Sequence, residues 1–269
     1  MSSVNSIKLY DDGRVQFYML GWEEIEDEGS VQTNQYMLLS GDEVILMDPG
    51  GAHVFPRVLA NVSEIANINK ITHIFYSHQD PDVSSGVILW LSMLNNKVKV
   101  HIPGLWVRFL PHFGVYNQST ISPIPDGGGE LTLRNGHRLE IIPAHFLHST
   151  GQATLYDPIS KVLFSADIGA AVFPPGKRYP IVENFENHVN YMKGFHVRYM
   201  ASNQACRAWI NLIKDKNIDI IAPQHGSVIK GREMIGKFLA WLGNLKCGVD
   251  IIDEIYSTGG KKALSSKYR

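Results

Sequence analysis

The 269-residue sequence predicts an α/β (α+β) fold, an αββα sandwich in which two mixed sheets pack face to face beneath outer helices. Three observations predict it. Short strand-like runs near the start are joined by tight turns, strands and helical periodicities alternate in each half, and no Pro-, Gly- or Ser-rich linker separates the halves. Each sheet then needs one face covered by its partner sheet and the other by helices.

The elements follow in order. IKLY and VQFYML flank the turn DDGR, and QYMLL and EVILM flank SGD, which makes two hairpins. After DPGG, the apolar residues of FPRVLANVSEIANI recur at helical spacing. The apolar run THIFY reads as a buried strand, SSGVILWLSML as a helix, KVKVHI as a strand and LWVRFLPHF as a short helix. Strands resume at ELTL, RLEIIPA, ATLYD and VLFSAD, the last two joined by PISK. One long helix is expected from Glu186 to Lys214, then the strand IDIIAP and a final helix over GREMIGKFLAWLGNL. PDGGGE reads as a turn, because a strand follows it where a phosphate loop needs a helix N-terminus. The domain is expected to span 1–256, with 257–269, STGGKKALSSKYR, as a flexible tail.

Bulk properties exclude several classes. With 25 Lys and Arg against 26 Asp and Glu, the chain has no basic excess to hold nucleic acid or an anionic membrane. No apolar run approaches the roughly 20 residues of a membrane span, and MSSVNSIKLYDDGR lacks the pattern of a signal peptide. The two cysteines, Cys206 and Cys247, form no short-spaced pair and read as buried apolar residues of a cytoplasmic protein.

The chemistry lies at strand ends. YSHQDPDVSSG sets His78, Asp80 and Asp82 at alternate positions directly after an apolar strand. Asp and Pro also gather in ordinary turns, so this loop alone decides nothing. Three further strand ends supply His148 in IIPAHFLHSTG, Asp167 in VLFSADIG and His225 in IDIIAPQHG. Independent turns would not place such residues there repeatedly. Three imidazoles and three carboxylates suffice for two adjacent metals when one carboxylate bridges.

In this order and spacing the sequence resembles the metallo-β-lactamase superfamily, whose motif runs Asp, HxHxDH, His, Asp, His; Asp48 in MDPGG matches its first member. HQDPDV departs from the hydrolase pattern twice, with Asp80 for the second His and Val83 for the last. A carboxylate at the second position, together with FLH and VLFSAD, resembles flavodiiron proteins, and within them the stand-alone oxygen-binding di-iron proteins of bacterial chemotaxis, since no FMN-binding module follows the last helix. The resemblance implies two irons with a bridging oxo or hydroxo group. His78, Asp80 and His148 would hold the first, Asp82 and His225 the second, and Asp167 would bridge them. Asp48 would orient ligands from behind, Val83 would leave room at the second iron, and Tyr199 matches a tyrosine near the flavodiiron site. Three carboxylates and a hydroxide balance two ferrous ions, whereas imidazole-rich sites suit zinc. The FLH match selects His148 over His145. His73 reads as a core histidine, and His53, His101, His112, His137, His188 and His196 as surface, capping or outer residues.

The implied function is oxygen sensing, with oxygen held as a diferric peroxo adduct and reported to a chemoreceptor. The alternatives are an oxygen or nitric oxide reductase fed by an external rubredoxin or flavoprotein, and a zinc or manganese hydrolase. A homodimer is implied by the resemblance alone.

Overall fold

The computed structural model describes residues 6–21, 31–95 and 97–256; the expected tail at 257–269 lies outside them. Two sheets face each other. The first has the order β1 (Ile7–Asp11), β2 (Val15–Leu20), β3 (Gln35–Ser40), β4 (Glu43–Met47), β5 (Ile71–Phe75), β6 (Lys99–Pro103), β7 (Ile121–Ile124). Its first four strands pair antiparallel as two hairpins, and β4 to β7 run parallel. In the second sheet, β8 (Gly129–Thr132), β9 (Arg138–Pro143), β10 (Ala153–Asp157) and β11 (Val162–Ala166) pair antiparallel in sequence order. Then β12 (Ile220–Pro223) joins parallel to β11 and β13 (Ile229–Lys230) antiparallel. Both sheets are mixed, as expected.

The strand side-chain period of two builds the layers. Along β4, Ile45 and Met47 face the opposite sheet, while Val44 and Leu46 face helices; along β11, Val162 and Phe164 face inward and Leu163 outward. Between the sheets, Phe17, Tyr36 and Phe75 meet Leu139, Leu155 and Phe164. Helices α1 (Phe55–Ile65), α2 (Pro81–Ser84) and α3 (Val87–Met93) lie on the first sheet's side, where Val58, Val62, Val87 and Trp90 cover Met37, Leu46 and Ile74. On the second, α4 (Phe185–Tyr199), α5 (Asn203–Ile213) and α6 (Arg232–Gly243) bring Met192, Trp209 and Phe238 over Leu163 and Ile221; α7 (Ile252–Tyr256) follows. Among the described residues, no helix is long and apolar enough to cross a membrane.

Four details differ from the sequence reading. The helix expected from Glu186 to Lys214 is two, α4 and α5, broken where Met200 is extended and Ser202 caps α5 by accepting from Ala205 N–H at 3.2 Å. The break is held from outside: Ala201 N–H donates to Phe146 O, and Ala201 O accepts from Val249 N–H. The segment Gly104–Phe113 is a 3-10 helix, containing Pro111. ISPI forms the edge strand β7, where Pro123 is tolerated, and two-residue β13 lies at the opposite edge of the other sheet.

Candidate metal centre

Parallel pairing gathers the chemistry at one end of the sandwich. Because β4 and β5 run side by side in one direction, Asp48 and His78 leave the sheet together; β11 and β12 do the same for Asp167 and His225. His148 comes from the loop between β9 and β10, and Asp80 and Asp82 from the entry to α2. The loops at Asp48 and His78 interlock. A Cβ on Gly51 would lie 2.8 Å from the Pro81 carbonyl, and one on Gly86 2.6 Å from that of Gly50.

All six residues singled out as ligands converge. Ligand atoms of His78, Asp80 and His148 lie within 4.8 Å of one another. Asp80 Oδ2 is 3.7 Å from His78 Nε2 and 3.3 Å from His148 Nε2. Asp167 divides its oxygens: Oδ2 faces His148 Nε2 at 2.7 Å and His78 Nε2 at 3.7 Å, while Oδ1 faces His225 Nε2 at 3.6 Å. His225 Nε2 in turn lies 3.4 Å from Asp82 Oδ2. Two donor groups therefore share one carboxylate.

The imidazoles are oriented from behind. His225 Nδ1 lies 2.7 Å from Gln32 O, which fixes the proton on Nδ1 and turns the Nε2 lone pair inward. His78 Nδ1 lies 2.8 Å from Ser77 Oγ, and Ser77 donates both its hydroxyl and its N–H to Asp48. Asp48 thus reaches His78 only through Ser77, a link that the sequence reading missed although the two are neighbours. Asp48 is fully buried with φ 42°, in the left-handed region.

The donor set fits cations. His78 Nε2 and Asp167 Oδ1 are buried without a hydrogen-bond partner among the described residues, a costly arrangement that a cation would relieve. Without one, protons supply the charge. Burial opposes protonation of His148, but Asp167 and Asp80 outweigh it and push its pKa up to about 10. His78 is also raised, burial being overcome by Asp167 and Asp80. Burial would raise Asp167 and Asp80, yet the imidazoles hold Asp167 down to about 2 and Asp80 below the usual carboxylate range. Metal and proton compete for the same atoms.

Tyr199, more than half exposed, sets its ring edge-on to His148 at 5.6 Å between centroids. Val83 is fully buried in the apolar cluster beneath α1 and α3. His145 binds Asp126 O at 2.7 Å through Nε2 and stands outside the cluster. His196, on α4, accepts the Gly169 N–H at 3.0 Å and so braces the turn after Asp167. His101 pairs with His73 at 2.9 Å, His137 bridges Ser40 and Asp157, and His188 meets the Tyr179 hydroxyl; all are buried.

These outer histidines set an acid limit. Burial pushes His188 and His196 down to about 4 and His101 to about 3, and lowers His73. As pH falls from about 6.5, the unfolded chain takes up protons that the folded chain refuses, so each costs up to about 1.4 kcal/mol per pH unit. Asp48, raised by burial to about 7, works in the opposite direction. The metal-free chain is expected to lose stability between pH 6.5 and 4, as urea unfolding at several pH values would show; a flat profile contradicts it.

A family model described as "ODP family beta lactamase" matches residues 31–226. The structure described as "Peroxy diiron species of chemotaxis sensor ODP" is 44% identical, with TM-score 0.83, over 93% of this chain and 99% of that one. An apo structure of the same sensor from T. denticola is 43% identical, with TM-score 0.82, over 94% of this chain and 100% of that one. Rubredoxin oxygen:oxidoreductase from Desulfovibrio gigas, 15% identical with TM-score 0.71 over 84% of this chain and 59% of its own, shares the fold. The putative diflavin flavoprotein A 1 of Nostoc sp. is 24% identical over 78% of this chain, which spans about a third, 36%, of that relative's length. The αββα sandwich is thus the architecture of these relatives, and the chain belongs to the ODP family beta lactamase group.

Proposed function

We propose that this chain is a non-haem di-iron protein that binds oxygen as a sensor in signalling such as chemotaxis. The observation that carries the reading is the divided carboxylate of Asp167, with one oxygen toward His78 and His148 and the other toward His225. His78, Asp80 and His148 would hold one iron, Asp82 and His225 the other, with Asp167 common to both. When bound, the pair would supply two electrons at a site open to oxygen. The chain's own contribution is orientation and charge: Ser77 with Asp48, and Gln32, aim the imidazoles, and three carboxylates offset the metals.

Sensing is preferred over reduction because the relative described as a chemotaxis sensor is 44% identical over nearly its whole length, whereas the oxygen reductase is a fold likeness. A chemoreceptor partner, a homodimer, cytoplasmic location and a response to nitric oxide belong to this proposal. Tyr199 beside the first iron belongs to it too, as does room at the second iron, since Val83 cannot coordinate and packs into the apolar cluster instead. Anaerobic reconstitution with ferrous iron is expected to give two irons per chain. One metal per chain, or zinc taken up while iron is refused, contradicts the reading.

A further inference from the structure

The chemistry of Asp80 depends on which of its oxygens is free. Its Oδ1 accepts from Gln79 Nε2 at 3.0 Å, and its Oδ2 faces His148 and His78 at 3.3 and 3.7 Å. Gln79 is itself gripped. Its Oε1 accepts from the hydroxyl of Ser149, the residue after His148, at 2.7 Å, and its carbonyl accepts from buried Ser84 Oγ at 3.0 Å. Ser84 Oγ also reaches the Asp80 carbonyl at 3.1 Å, so the backbone before α2 is held from the helix side.

We propose that Gln79 is a positioning residue that makes Asp80 a one-atom donor and sets its distance to His148. This rests on the di-iron reading above. A carboxylate turns readily between one- and two-oxygen binding, whereas an imidazole presents one nitrogen. With Oδ1 occupied by the Gln79 amide, Asp80 offers Oδ2 alone and keeps its negative charge. Because the same amide group accepts from Ser149, the loop carrying Asp80 and the loop carrying His148 are spaced by one side chain. An apolar residue at 79 would free Oδ1 and cut that link; a glutamate would keep an acceptor for Ser149 but set a second negative charge against Asp80.

The test is anaerobic equilibrium dialysis with ferrous iron alone. Wild type reports whether two irons bind at all, and uptake of none overturns the di-iron reading itself. Asp82→Ala supplies a background in which the first position is read separately. In that background Gln79→Leu and Gln79→Glu are expected to weaken iron binding about 10- to 100-fold, the usual cost of removing an outer partner of a ligand. Ser149→Ala, which spares the amide on Asp80, should weaken it less. With Asp82 intact, the second position should keep its affinity and the metal-free chain its thermal midpoint. Unchanged affinity in both Gln79 variants overturns the proposal. So does equal loss at both positions with a lowered midpoint in all three, which would make Gln79 a fold residue.

Discussion

Asp167→Ala is expected to abolish iron binding at both positions, whereas Asp82→Ala is expected to weaken mainly one. The difference follows from reach. Asp167 faces three imidazoles through two oxygens, at 2.7, 3.7 and 3.6 Å. Asp82 faces His225 alone among them, at 3.4 Å, with Gln224 Nε2 at the same distance. Truncating Asp167 therefore removes a donor and a negative charge from each position. The loss in affinity should exceed the roughly 10- to 100-fold attached to outer partners. The metal-free Asp167→Ala chain should still fold, because His148, deprived of its strongest partner, can release its proton. Metal counting with thermal unfolding of the same samples checks both points. Equal, mild losses from the two substitutions would mean that Asp167 does not bridge.

Asp80→His is expected to move the first position's preference from iron toward zinc, on the order of tenfold or 1.4 kcal/mol. It replaces a hard, charged oxygen donor by a neutral nitrogen and leaves His78 and His148 beside a third imidazole, a set that suits tetrahedral zinc. Local structure should tolerate it. Asp80 stands at the N-cap of α2 without a side-chain capping bond, so helix formation does not depend on its carboxylate. Competition between ferrous iron and zinc, analysed by metal content, measures the shift. An unaltered ratio would remove the main chemical argument against a hydrolase.

How much of this was legible in the sequence depends on the range of the interaction. Strand alternation in EVILM and VLFSA, and the positions of His78, His148, Asp167 and His225 beyond strand ends, were plain because period and punctuation are local. That His78, Asp167 and His225 leave their sheets at one end follows from parallel pairing of β4 with β5 and β11 with β12, which a strand-helix alternation implies, while His148 arrives on the loop between antiparallel β9 and β10. The break between α4 and α5 was hidden, because it is held by the Phe146 carbonyl, which accepts from Ala201 N–H, and by Val249 N–H, which donates to Ala201 O. The strand ISPI went unread, and it accommodates Pro123 because β7 lies at a sheet edge. Ser77, Gln32 and the amide of Gln79 were likewise silent: Ser and Gln are common loop residues, and only their partners give them roles.

The protein is expected to capture oxygen without sustained reduction. Two ferrous ions give up two electrons on becoming ferric, whereas reduction of oxygen to water takes four, so turnover needs continuing delivery from a donor. The most direct measurement is oxygen uptake by anaerobically iron-loaded, reduced protein supplied with rubredoxin and its reductase, followed together with the optical spectrum. Uptake of about one oxygen per di-iron centre is expected, with a long-lived spectral change and then no further consumption. Continuing consumption over many turnovers, on the order of 1 per second or faster, would contradict it and identify the chain as the terminal part of a reductase.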